Sequence, residues 1–240
     1  MTDARATFRF RPGLTVAAII GVAVLVSLGT WQLHRRAWKL DLIAQVEARA
    51  NAAPIPFDEA RDRADAGEDM SYQPVRAVGV FDHGREARVF GSLDGAAGVY
   101  VFTPLTREGA RALYVNRGFA PQALADPADR AEGQVAGEVV VTGLFRTPSK
   151  PGGLARAFQA EDQPEDNLWF ARDPVRFAAH AGLDAEASFI DSDGAETSAD
   201  WPRGGATRLE FSNRHLEYAL TWFGLAAALI GVYAARSFAR

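Results

Sequence analysis

The sequence predicts a membrane α+β protein: two transmembrane helices flanking one β-rich extracytoplasmic domain, built as an antiparallel sheet or a small barrel. Three observations carry this expectation. Leu14–Leu33 runs 20 residues without a charge, and Tyr218–Ala235 runs 18. At ~1.5 Å per residue, a helix of that length is ~30 Å long, the thickness of bilayer hydrocarbon. Between them lies a loop with no other such run, patterned instead as short alternating apolar segments. The expected organisation is a tail (1–13), a first span (14–33), a β-rich domain (34–213), a second span (214–235) and a short tail (236–240).

Charge sets the expected orientation. The tails carry Arg5, Arg9, Arg11, Arg236 and Arg240 against Asp3, a net charge of +4, whereas the loop is net acidic. Basic residues beside short tails favour a cytoplasmic placement for both termini, and a long loop is translocated whatever its charge. Arg35, Arg36 and Lys39, directly after the first span, run against this rule. The first apolar run exceeds the ~7–15 residues of a signal-peptide core and lacks an A-x-A site after it. The Arg-Arg pair follows the run rather than preceding it, so it is not a twin-arginine signal. A mitochondrial leader would need a longer, acid-poor extension. The expectation is a bacterial inner-membrane protein with a periplasmic domain.

The loop's elements follow in order. Ala37–Ala50 places Leu40, Ile43, Ala44 and Val46 at helical spacing and continues the first span outward. Pro54 and Pro56 end it, and Arg61–Asp69 reads as a charged, solvated connector. Tyr72–Phe81, Ala87–Leu93, Val99–Leu105, Ala112–Phe119 and Gly137–Phe145 read as strands, several of them parted by Gly-bearing turns. Pro148–Gln163 reads as a loop. Asp173 caps a short helix opened by Pro174 and running to about Ala181. Ser188–Asp191 is a last strand, and 193–205 is turn-like.

Several chemistries lack their residues. The chain has no cysteine, which removes disulfides, thiolate metal sites and C-x-x-C-H haem attachment. Its four histidines form no H-x-x-x-H pair. A net charge of −4 argues against nucleic acid as a partner. Neither a nucleophile elbow nor a P-loop is present. A binding or scaffold domain is therefore expected rather than an enzyme.

Polar residues gather at the outer ends of the two spans: Trp31, Gln32, His34, Arg35 and Arg36 after the first, Asn213, Arg214, His215, Glu217, Tyr218 and Trp222 at the second. In helical register His215 shares a face with Tyr218, Ala219 and Trp222. Gly224-xxx-Ala228 and Ala227-xxx-Gly231 are expected to admit a close helix neighbour, with Ala17-xxx-Gly21 and Leu25-xxx-Gly29 as a weaker counterpart. The bland readings are an aromatic belt, snorkelling arginines and an interfacial histidine. An imidazole beside aromatic rings and arginines at the bilayer edge also suits an amphiphilic macrocycle bearing carboxylates.

Six motifs then carry a family resemblance over nearly the whole chain. They are Gly29-Thr-Trp-Gln-Leu-His-Arg-Arg-Ala-Trp-Lys39, Tyr72-Gln-Pro-Val75 with Gly79-Val-Phe81, Gly98-Val-Tyr-Val-Phe-Thr-Pro-Leu105, Val115-Asn-Arg-Gly-Phe-Ala-Pro121, Asn167-Leu-Trp-Phe-Ala-Arg-Asp173 and Asn213-Arg-His-Leu-Glu-Tyr-Ala-Leu-Thr-Trp-Phe-Gly224. In that order they resemble the surfeit-locus protein 1 family, the Shy1-like cytochrome c oxidase assembly factors. Phe119 stands where the family more often has Trp.

The resemblance implies two transmembrane helices with the loop outside, no enzymatic activity, and a role where haem a enters the catalytic subunit of the haem-copper oxidase. It further implies haem a binding, with His215 as iron ligand; by helical register Tyr218 and Trp222 are its aromatic neighbours, and by guanidinium–carboxylate pairing Arg35 and Arg36 are the candidates for the propionates. His34 is the rival ligand. The implied partners are the oxidase catalytic subunit, haem a synthase and the lipid bilayer. The alternative is a scaffold that shields the apo-subunit without touching haem. A sensor is a poorer reading, since Arg236–Arg240 is too short for an output domain. Asn116-Arg117-Gly118 ends a strand, with a turn and a partner contact equally open.

Overall fold

The computed structural model describes residues 11–148, 160–205 and 213–238. The tail arginines Arg5, Arg9 and Arg240, and most of the expected Pro148–Gln163 loop, lie outside the described residues. The chain forms two compact units, one of residues 1–45 with 210–240, the other of residues 46–209.

The first unit is a helix pair. Helix α1 is Pro12–Ala50, a single element of 39 residues that merges the expected span with its outward extension. Pro12 opens it at a position where the missing N–H is not needed. Ser27 and Thr30 donate their hydroxyls to the carbonyls of Ala23 and Val26 at 2.7 and 2.9 Å, which hides both polar groups within the apolar run. After Ala50, Asn51 Nδ2 donates to the Glu47 carbonyl, and Pro54 bars further helix. Its partner is the last helix, His215–Phe238. Both helices are long and apolar enough to cross a membrane. Their outer surfaces are bare: Ile19 and Leu220 are each 63% exposed.

The pair is antiparallel. Thr15 Oγ1 lies 2.8 Å from the Tyr233 hydroxyl at one end, and Gln32 meets His215 at the other. The seam differs from the expected one. A Cβ built on Gly224 or Gly231 meets nothing within 4 Å, and Ala227 and Ala228 are exposed. The buried residues of this last helix are Ala219, Ala226 and Ser237. The close approach comes from the glycines of α1. A Cβ on Gly29 would lie 2.6 Å from the Phe223 ring, and one on Gly21 would lie 2.8 Å from Leu229. Large side chains of the last helix seat on glycines of the first, so the Gly-xxx-Ala stripe faces outward. Gly29→Leu should therefore overfill the seam at a cost of ~1–3 kcal/mol, while Gly224→Leu should be nearly neutral. In this cysteine-free chain, disulfide trapping should link cysteines placed at 29 and 223 and fail for a cysteine at 224.

The second unit is the sheet domain. Its elements are β1 (Ile55–Pro56), α2 (Phe57–Asp65), β2 (Pro74–Phe81), β3 (Ala87–Leu93), β4 (Ala96–Thr106), β5 (Leu113–Pro121), β6 (Glu138–Arg146), β7 (Leu168–Trp169), α3 (Pro174–Ala181) and β8 (Phe189–Ser192); the His215–Phe238 helix is then α4. The sheet order is β1-β2-β6-β8-β5-β4-β3-β7, and β2 also pairs with β4 through Val80↔Thr106 and Phe81↔Leu105. That extra pairing closes β2-β6-β8-β5-β4 into a small barrel. The expected antiparallel sheet is in fact mixed: β1–β2, β3–β7 and β5–β8 are parallel. A parallel neighbour needs a long crossover, and β6 and α3 both intervene before the chain returns beside β5.

The expected connector at Arg61–Asp69 is half helix. In α2, Phe57 and Ala60 are buried, and Asp58 turns outward to Arg61 and Arg107 at 2.9 and 3.0 Å. Phe57 and Ala60 close one core with Val75, Leu105, Leu113, Val141, Phe145 and Ile190. A second core packs α3 against the sheet. Asp173 caps α3 by accepting from the Val175 and Arg176 amides, and Gly182 at φ +66° ends it. Phe177 meets Phe102, Tyr114 and Trp169 edge-on, with ring centroids 5.4, 5.5 and 5.0 Å apart.

Asn116-Arg117-Gly118 neither ends a strand nor turns. It is a bulge inside β5: Val101 pairs with Gly118 but Phe102 pairs with Asn116, leaving Arg117 as the extra residue. Asn116 Oδ1 accepts from the Gly118 amide at 3.1 Å, and its Nδ2 donates to Asp191 at 2.8 Å. Both groups are buried, and β8 supplies the aspartate.

Candidate functional site

The helix unit builds its site at the level where α4 begins. His215 is the first residue of α4, and its Nδ1 lies 2.7 Å from Gln32 Oε1. An amide oxygen only accepts, so Nδ1–H is the donor of this bond, and in the neutral imidazole the lone pair then sits on Nε2. Among the described residues nothing engages Nε2. Asn213, two positions earlier, keeps its Oδ1 buried and without a hydrogen bond among the described residues. Arg214 turns aside to Glu217, with Nη2 2.9 Å from the carboxylate.

The other candidates take distinct places. Tyr218 and Trp222 follow His215 at i+3 and i+7; Tyr218 is exposed and Trp222 half-buried. Arg36 lies one turn beyond Gln32 on the same face of α1 and is half-buried. Arg35 stacks its guanidinium 3.9 Å above the Trp38 ring. His34 is exposed and two residues from Gln32, about 200° around the helix, so it does not share the face that meets His215. Gln32 is the residue that sequence reasoning passed over as a role-bearer. Its signal was an uncharged amide at the end of an apolar run, on the face that Gly21 and Gly29 mark.

The sheet domain holds a second concentration of ionisable groups. Arg117 is fully buried; it donates to the Gly133 carbonyl at 2.6 Å, lies 3.8 Å from Glu196 and covers the Phe81 ring at 4.7 Å. Burial pulls its guanidinium down from the ordinary value, and Glu196 opposes that pull. Arg130 pairs with buried Glu86. Beside them His83 contacts the Val135 carbonyl at 2.9 Å through Nε2. These charges compensate one another pairwise, as buried charges must. The Asn167 motif serves the same architecture: Asn167, at φ +51°, donates to the Glu86 carbonyl at 2.7 Å and accepts from the Trp169 indole at 3.1 Å. A cavity of about 210 Å³ lies alongside, bordered by Glu86, Trp169 and His180.

His83 gives this cluster a pH signature. Desolvation holds its pKa below the ordinary 6.5; Arg117 and Arg130 add to that, and Val135 and Glu86 oppose it. The unfolded chain then binds the proton more readily than the native one, so the stability is whole above 6.5 and lost as pH falls below it. Denaturant midpoints at pH 7.5 and 5.5 should show this loss, and His83→Gln should flatten it.

Among the described residues no group of three or more His, Asp or Glu side chains could hold a metal ion. What the helix unit offers is one imidazole, that of His215, oriented by an amide.

These features define a class: a small mixed β-barrel domain flanked in sequence by two helices long and apolar enough to cross a membrane. The SURF1 family model matches residues 19–227, and the chain belongs to that family. Surfeit locus protein 1 of Rattus norvegicus is 39% identical over 224 residues, covering 86% of this chain and 70% of its own. The Homo sapiens protein of that name is 39% identical over 221 residues, covering 84% and 70%. A SURF1-like protein of Monosiga brevicollis is 32% identical over 238 residues, covering 92% and 86%.

Proposed function

We propose that this chain is an assembly factor for a haem-copper cytochrome c oxidase and that it carries haem a, as cargo, where Gln32 meets His215. The observation behind this reading is the hydrogen bond from Nδ1 to Gln32 Oε1. Histidines that ligate metals donate the other ring N–H to a carbonyl or carboxylate, which fixes the ring and raises the basicity of the free nitrogen. In the neutral imidazole, the contact with Gln32 matches that arrangement and leaves Nε2 as the acceptor. Haem a, when bound, supplies an iron able to take an axial nitrogen and two propionates. Tyr218 and Trp222 supply aromatic surface, and Arg35 and Arg36 supply guanidinium forks for carboxylates. A single protein ligand suits a carrier, which has to release what it holds. No catalytic reaction is assigned to the chain.

The proposed setting is a bacterial inner membrane, with the β domain in the periplasm beside the oxidase catalytic subunit and haem a synthase as the donor. The deciding measurement for cargo is the absorption spectrum of chain purified from cells that make haem a. A Soret band supports the carrier, and its absence favours a scaffold that stabilises the apo-subunit. Topology is tested separately. A reporter active only in the periplasm should work after Gly194 and be silent at Arg240; the reverse would place the His215 end in the wrong compartment.

A further inference from the structure

The opposite end of the helix pair holds a groove that the haem reading leaves unused. It lies between the first turns of α1 and the last turns of α4 and encloses about 150 Å³. Leu14, Ala17 and Ala18 line it from α1, and Leu229, Val232, Tyr233 and Arg236 line it from α4. Those four positions, spaced i, i+3, i+4 and i+7, form one stripe about 10 Å long with the arginine at its end.

Each end of the groove has a physical reason. Inward, Leu229 seats on Gly21, where the helices touch and the space stops. Between, alanines leave open what larger side chains would fill. The Tyr233 hydroxyl is engaged by Thr15 at 2.8 Å, so it adds no free polar group to the walls. Arg236 is exposed, and no carboxylate among the described residues pairs with it. An apolar slot ending in an exposed guanidinium is complementary to an amphiphile with an anionic head.

We propose that this groove binds one anionic phospholipid, with an acyl chain between Ala18 and Val232 and its phosphate on Arg236. The guanidinium fork matches phosphate oxygens in two-point fashion, and an arginine at the end of a span reaches headgroup level. A zwitterionic lipid carries its own ammonium, which competes for the phosphate. The proposal rests on α1 and α4 spanning a bilayer and is independent of His215.

The test uses the full chain, purified in mild detergent and mixed with equal amounts of phosphatidylglycerol and phosphatidylcholine, read by native mass spectrometry. One phosphatidylglycerol should be retained, favoured over phosphatidylcholine by about fivefold. Arg236→Gln should erase that preference, and Ala18→Phe should expel the lipid. If Ala18→Phe does not fold, as judged by circular dichroism, Arg236→Gln on its exposed side chain decides alone. Unchanged lipid retention and preference in folded variants would overturn the proposal. So would displacement of the lipid by inorganic phosphate, which has no acyl chain. Alkaline extraction of membranes separates the premise: chain released by alkali removes the spanning reading, whereas chain retained with lipid-indifferent variants removes only the groove.

Discussion

Replacing His215 with alanine is expected to remove the Soret and α bands from chain purified from cells that make haem a, while the helices and the barrel stay folded. A methyl group offers iron no lone pair, and no second imidazole is positioned to take over. His34 is exposed on a different face of α1 from Gln32, so His34→Ala should leave the spectrum unchanged. Gln32→Leu removes the acceptor for Nδ1–H and frees the ring to rotate. Loss of such an outer partner typically weakens metal binding by about 10–100-fold, so Gln32→Leu should lower haem occupancy without moving the bands. Gln32→Glu retains an acceptor oxygen and should restore much of the loss. Replacing Arg35 and Arg36 with glutamine should weaken retention with the axial field intact. Full haem content in His215→Ala would reject the ligand; loss in His34→Ala instead would move it to the other helix. If neither variant matters, the scaffold becomes the better reading.

The sequence made one half of this site legible. His215 was readable because a lone imidazole at the head of an apolar run is chemically conspicuous. Gln32, 183 residues from His215, was not, because which polar residue meets His215 depends on how the two helices are rotated against each other. The rotation was misjudged for the same reason. Gly-xxx-Ala spacing marks a stripe where close approach is allowed, not where it occurs. On α4 that stripe faces outward, since Phe223 and Leu229 need the glycines of α1 beneath them.

The fold follows the same division. Strands with a buried and an open face alternate visibly, as in Val75–Phe81, where every second residue turns inward. The two-residue strands β1 and β7 have no period to detect. Helix α2 was hidden by its charges: Asp58, Glu59, Arg61, Asp62, Arg63 and Asp65 mask the apolar positions Phe57, Ala60 and Ala64. The parallel placement of β8 beside β5 is a non-local choice that no local pattern encodes. The bulge did leave a mark. An isolated glycine within a strand signals one, and Gly118 sits inside an otherwise continuous run.

That glycine carries the second large expected effect. Gly118→Ala should destabilise the barrel by about 3–5 kcal/mol, lowering the thermal midpoint by about 10 °C. Its φ of +116° is a conformation that side chains with a Cβ rarely adopt. Space is absent as well: a Cβ there would lie 1.9 Å from the Arg203 carbonyl oxygen and 2.6 Å from the Gly204 amide. Those atoms are not free to retreat, because Phe119 and Arg203 exchange backbone hydrogen bonds of 3.1 and 2.8 Å that hold the segment against β5. Lifting it would pull Trp201, two residues earlier, from the second core. Gly95 provides the control. It also has a positive φ, +84°, but a Cβ there meets nothing within 4 Å, so Gly95→Ala should cost only about 1 kcal/mol. Equal melting of the two variants would mean that residues 203–204 do not seat on β5. The proposed haem site lies in the other unit, so Gly118→Ala should reduce the yield of folded chain and leave any haem bands of the surviving molecules where they are.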